Sequence, residues 1–215
     1  MKKNNSKPIL FSTEMVQAIL DGRKTMTRRI VKFGFDQKDF SFIKIMQNTD
    51  NQIGTHAFFN GDQITATIKC PYGNIGDELW VRETWQQRSE KAMQLGFEKY
   101  YYKAGWEGCT DGGWKPSIFM PREASRITLE ITDIRVERLQ SISNKDAKAE
   151  GAAVNLTLKD FDLLKGLEWV IPRPFLEHQF GFLALWSRIN GIDSWQENPW
   201  VWVIEFNVKE VGDEE

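Results

Sequence analysis

The sequence predicts an α+β domain with more strands than helices, and three observations carry that prediction. RITLEITDIRVERL (126–139) alternates apolar and polar residues with the period of a strand. PWVWVIEFNV (199–208) places Trp200, Trp202, Ile204 and Phe206 on one strand face. The helical signals, by contrast, are mostly short, and each is bounded by a cap or a glycine. The 215 residues show no internal repeat and no domain boundary, so a single unit over 1–215 is expected.

The run 7–11 reads as a strand or an extended lead-in. Ser12 or Thr13 then offers an N-cap, and Glu14 sits in a first turn, where the helix dipole favours a carboxylate. Met15, Ala18 and Ile19 recur at helical spacing, which predicts a helix over 13–21 with Gly22 just past its end. TMTRRIV (25–31) is rich in β-branched residues and reads as a strand. Residues 32–61 lack periodicity and are expected to form a long elaboration or loop. Strands follow at 63–70 (QITATIKC) and 78–85 (ELWVRETW), separated by the turn cluster PYGNIGD. The stretch 86–115 reads as a hairpin excursion holding a short helix, a strand at 98–104 and the glycine-rich turn GWEGCTDGGW. Within 126–139 the alternation slips near Asp133, which predicts a β-bulge of the kind that bends a strand in a small barrel. Ser143 begins a short helix with Asp146 in its first turn and Gly151 as its stop. A second helix over 174–191 ends at Asn190-Gly191.

Composition narrows the function. A net charge of −2 gives no global field to draw in nucleic acid, so any such binding needs a local patch. No run approaches the ~20 apolar residues of a membrane span, and MKKNNSKPILF lacks the long apolar core of a signal peptide. Cys70 and Cys109 lie far apart, which fits reduced thiols in a cytoplasm. Neither they nor His56 and His178 have metal-ligand spacing. With no phosphate loop of the G-x-x-x-x-G-K type either, no cofactor is expected. Nine tryptophans are present, each a candidate for core packing or for stacking on a base.

One segment concentrates chemistry. GRKTMTRR (22–29) packs Arg23, Lys24, Arg28 and Arg29 into seven residues with Thr25 and Thr27 between them. Such crowding calls for compensation, either by solvent or by an anionic or polar ligand. Written as G-x-K-x-x-T-x-R through Gly22, Lys24, Thr27 and Arg29, after a helix and before a strand, it resembles the motif of the ASCH family. CPYGNIGDELWVRETW, PSIFMPREASRITLEITDIRVERLQSIS and NPWVWVIEF are similar to the phage and prophage branch of that family. Together these cover most of the chain; 32–61 and 152–172 fall outside the resemblance. It implies a PUA-like β-barrel with flanking short helices and long inserted loops near 32–61, 86–115 and 152–172. The implied ligand is RNA or a (modified) nucleoside or nucleotide. Many family members carry glutamate where Thr27 stands. One small subgroup removes an acyl group from the exocyclic amine of acetylated cytidine. Its catalytic lysine and threonine match Lys24 and Thr27. Its glutamate, at the close of a short helix, matches Glu150.

The residues themselves suit either use. Amide hydrolysis needs an activated nucleophile, a proton for the departing amine and support for an oxyanion. Lys24, with an ordinary pKa near ~10.4, becomes a base only if burial or the neighbouring arginines depress it. Glu150 could orient Lys24 or relay a proton, and Arg29 could hold an oxyanion or a phosphate. Lys24 and Thr27 are three apart, so both face one pocket only if a turn or bulge separates them. The plainer alternative is a surface Lys24–Glu150 ion pair worth roughly 0–1 kcal/mol. Arg82, Glu83 and Trp85 of WVRETW are candidates for the same pocket, Trp85 as a stacking wall, or else pair with strand neighbours. Arg122 and Arg126 are candidates for a phosphate contact or for solvated rim charges. The long excursions also suit a protein-interaction module.

Overall fold

The computed structural model describes residues 5–33, 42–45, 55–60, 63–108, 112–152, 158–165 and 177–212. In chain order the elements are β1 (Ser6–Leu10), α1 (Thr13–Leu20), β2 (Met26–Ile30), β3 (Phe42–Ile45), β4 (Thr55–Asn60) and β5 (Gln63–Lys69). Then come β6 (Glu78–Arg82), β7 (Trp85–Gln87), α2 (Glu90–Gln94), β8 (Tyr100–Tyr102) and β9 (Ile127–Arg138). The chain continues through α3 (Asn144–Ala149), α4 (Leu158–Leu163), α5 (Glu177–Asn190), α6 (Asp193–Gln196) and β10 (Trp200–Val211).

The architecture is α+β. Its centre is a five-stranded mixed sheet in the order β1-β6-β9-β10-β2, in which only β1 and β6 run parallel. Among the described residues this sheet is open, with β1 and β2 as edges, and no closed barrel is seen. β10 explains why the sheet is buried on both sides. Trp200, Trp202, Ile204 and Phe206 face a core shared with Val16 and Ile19 of α1, while Val201 and Val203 face Phe182, Leu183 and Trp186 of α5. Each large apolar side chain so buried contributes on the order of 1.5–3 kcal/mol. The strand therefore carries two apolar stripes, of which the WxWxIxF pattern shows one.

Local signals largely act where the sequence puts them. Ser12, not Thr13, caps α1 by accepting from the Met15 N–H, and Ser143 caps α3 by accepting from Asp146. The β9 bulge falls at Thr132, left over between the Ile131–Phe206 and Asp133–Glu205 pairs. Two expectations are corrected. Residues 42–45 and 55–60 are strands within the stretch read as loop, joining β5 in a three-stranded antiparallel sheet. Their runs are too short to show a period, and their partner lies later in the chain. ELWVRETW is not one strand either. β6 stops at Arg82, and Trp85 opens a separate hairpin with β8, because Glu83 between them turns inward. The long insertions are partly described, and Cys109 and the start of the 174–191 helix lie outside the described residues. Among those described, no helix is long and apolar enough to cross a membrane.

Candidate functional site

The 22–29 segment is pinned by backbone bonds before any side chain is considered. Gly22 takes φ +70°, a conformation that favours glycine. The N–H groups of Arg23 and Lys24 then both donate to the Ala18 carbonyl, wrapping the chain under the end of α1. Lys24 forms an antiparallel bridge with Glu150, and the Thr25 N–H donates to the Ala149 carbonyl at 2.9 Å. Gly151 makes this closeness feasible. It sits at φ +75°, and a Cβ there would lie 2.9 Å from the Ala18 Cβ and 3.1 Å from the Lys24 Cβ.

Lys24 and Glu150 are a buried pair, not a surface one; their side chains are 0% and 2% exposed. The Lys24 Nζ donates to the Met26 carbonyl (2.7 Å), the Glu150 carbonyl (2.9 Å) and Glu150 Oε2 (2.8 Å). An ammonium has three donors and no lone pair, and here three acceptors meet it. Burial pushes Lys24 below its ordinary pKa, Glu150 opposes that, and Arg29 and Arg28 add smaller downward pushes. Burial, not the neighbouring cations, is thus the main influence, and Arg23 turns away to pair with Asp21 at 2.6 Å. The three acceptors hold Lys24 as a cation, and burial lets it give up its proton at a lower pH than a free lysine does.

Arg28 is spent internally as well. Its guanidinium contacts Asp146 (2.9 Å), Glu137 (3.2 Å) and Glu150 (3.3 Å). Arg135 extends the network through Asp146 and Glu137, and on to Asp133 and Glu205. Most of the crowded cations are therefore compensated by carboxylates of the same chain. Arg29 differs. It makes no ion pair among the described residues: Nη2 donates to the Leu10 carbonyl at 2.5 Å, and the guanidinium lies 5.2 Å from the Phe11 ring centre. Its Nε is buried without a hydrogen-bond partner.

A cleft of about 220 Å³ lies along the outer edge of β2, which is free among the described residues, between α1 and α5. Thr27, Arg28, Arg29 and Glu150 line it; Lys24 does not, standing behind Glu150. Peptide parity identifies what the edge offers. The Phe206 N–H donates to the Thr25 carbonyl and the Val31 N–H donates to the Trp200 carbonyl, so Thr27 and Arg29 also turn their peptide groups to β10. Arg28 and Ile30 turn theirs to the free edge. Tyr72 and Trp186 supply aromatic lining, and Lys32 an exposed cation.

Several of these residues were not among the sequence candidates. Asp146 had a signal, since it lies four residues before Glu150 and so on the same face of α3. Asp133, Arg135 and Glu137 repeat at the period of a strand and share one face of β9. Tyr72 lies in the PYGNIGD cluster, where sequence shows only a turn.

The WVRETW residues lie elsewhere. Glu83, 1% exposed, takes two bonds from Arg126 at 3.0 and 3.1 Å, and Arg126 also donates to the Ala104 carbonyl under the Tyr102 ring. Arg126 is thus neither a phosphate contact nor a solvated rim charge. Trp85 is buried with Met120 and Ala124, and Arg82 lies 5.5 Å from the Trp80 ring centre and donates to the Ile118 carbonyl. Gly22 and Arg23 line a separate cavity with Lys148 and His178. Among the described residues, no group of His, Cys, Asp and Glu could hold a metal ion. Compared with known proteins, the chain matches no family model, no curated protein and no solved structure.

Proposed function

We propose that this is an ASCH-type, PUA-like domain that binds a nucleoside or nucleotide, free or within RNA, in the cleft beside β2. One observation carries the reading: the cleft joins a strand edge with paired peptide donors and acceptors to aromatic lining and a half-buried cation, Arg29, that has no carboxylate partner among the described residues. Peptide N–H and C=O groups can match the edge of a base, aromatic rings stack on its face, and Arg29 with Lys32 suits a phosphate. At about 220 Å³ the space lies below the ~300–1,000 Å³ of ordinary ligand pockets, a size for one base or nucleoside. Calorimetric titration with cytidine 5′-monophosphate tests it. Binding is expected for the wild type, weakened about tenfold or more in Arg29→Ala, as suits a charged hydrogen bond. A folded Arg29→Ala protein with unchanged affinity would overturn the assignment.

The second reading is an amidohydrolase acting on acylated cytidine, favoured by Thr27 and Glu150 sharing the cleft. In that reading the geometry redistributes the roles. Glu150 faces the substrate, Thr27 is the candidate nucleophile, and Lys24 positions Glu150 from behind. Incubation with acetylated cytidine, followed for cytidine and acetate, separates the two; turnover by the wild type that Glu150→Gln abolishes is the enzyme's signature.

A further inference from the structure

The excursion between β6 and β9 carries a second constellation that the cleft does not use. Arg88 lies 5.2 Å from the ring centre of Phe97, 4.8 Å from Tyr101 and 5.3 Å from Trp106. Tyr101 in turn packs 5.0 Å from Trp106 and 5.3 Å from Trp114. Packing alone would account for rings around an arginine. It does not account for two buried donors without partners among the described residues, Arg88 Nε and Trp106 Nε1, both on residues that line the same groove. That groove, of about 300 Å³, also has Gln86, Gln87 and Lys115 on its walls, and no carboxylate among the described residues. A second groove shares Arg88, Tyr101 and Trp106 with it and includes Glu98.

We infer that the Arg88–Trp106–Lys115 groove is a second nucleotide subsite for single-stranded nucleic acid, which makes the ligand a strand instead of a free nucleoside. The inference rests on the cleft reading above and extends it. Its chemistry is that of sequence-tolerant single-strand binding: aromatic faces for bases, cations for the backbone and amide side chains for base edges. Position supports the pairing of the two sites. The Arg29 guanidinium bonds the Leu10 carbonyl, and the next residue, Phe11, bonds the Arg82 carbonyl at 3.1 Å, directly before the excursion begins. The cleft's cation and the root of the excursion thus meet at the end of β1.

The test measures two ligands on one protein: a fluorescently labelled single-stranded RNA of about 12 nucleotides, within single-strand site sizes, and cytidine 5′-monophosphate. The RNA is expected to bind the wild type more tightly than the mononucleotide. Lys115→Glu, at an exposed position, should weaken RNA binding about tenfold and lower its salt dependence by roughly one contact, leaving mononucleotide affinity alone. Arg88→Ala should act in the same direction, with circular dichroism confirming its fold. Equal RNA affinity in wild type and Lys115→Glu, with mononucleotide still bound, would overturn the second subsite and spare the cleft. Failure of the wild type to bind either ligand would overturn both. A duplex bound as tightly as the single strand would also overturn the inference, because paired bases cannot stack on the rings.

Discussion

Among the described residues two buried carboxylates pair with buried cations, and they do different things. Glu83 and Arg126 are sealed by Tyr102 and Ala104, with the Glu83 N–H against the Met120 sulfur. Burial pushes the Glu83 carboxyl up in pKa while Arg126 pulls it down, and the Tyr102 phenol is raised to about 12. This pair fastens the 83–126 excursion to the sheet. Glu150 and Lys24 are equally buried, but the carboxylate is shared with Arg28 and lines a cleft. Burial of an ion pair is therefore no guide to function by itself. What matters is whether one partner also borders a space that a ligand can enter.

The largest expected effect comes from breaking the sealed pair. Glu83→Ala leaves the Arg126 guanidinium without its carboxylate and should cost about 3–5 kcal/mol in denaturant unfolding. Any folded protein that remains should still bind ligand in the cleft. Loss of ligand binding without loss of stability would reverse the comparison. A smaller effect is expected at Gly151, where alanine would press on Ala18 and Lys24 at a positive φ. Gly151→Ala should cost about 1–3 kcal/mol, and it should disturb the Glu150 side of the cleft more than the excursion, as read from amide chemical shifts.

The smallest effect is a slope. Because burial lowers the folded-state pKa of Lys24 below 10.5, the unfolded chain holds more protons between those two values. Stability contributed by this residue therefore rises with pH up to about 10.5. Urea unfolding at a series of alkaline pH values should show that rise in the wild type and lose it in Lys24→Met. Parallel curves for the two proteins would mean that the Glu150 attraction fully offsets burial.

Much of the fold is legible in the sequence, for a local reason. Ser12, Ser143 and Gly22 act through neighbours within four residues, and the alternation of β9 and β10 reports faces that any sheet would bury. Lys24, Thr27 and Glu150 were expected together only from the family resemblance, and the structure pairs Lys24 with Glu150 across 126 residues of sequence. The strands at 42–45 and 55–60 were hidden because each is defined by a partner and not by its own pattern. Arg82, Glu83 and Trp85 look alike in WVRETW, yet one donates to a loop carbonyl, one enters the core and one starts a hairpin.

Sequence alone determined the strand periods, the helix caps, the bulge and the crowding of cations at 22–29, since each depends on residues close along the chain. Only the tertiary structure decided which cations are neutralised. Electrostatic compensation falls off with distance in space, and Asp146, Glu137 and Glu150 reach Arg28 from more than a hundred residues away. The same is true of the cleft, whose polar floor is the edge of β2 that the order of the described strands leaves unpaired.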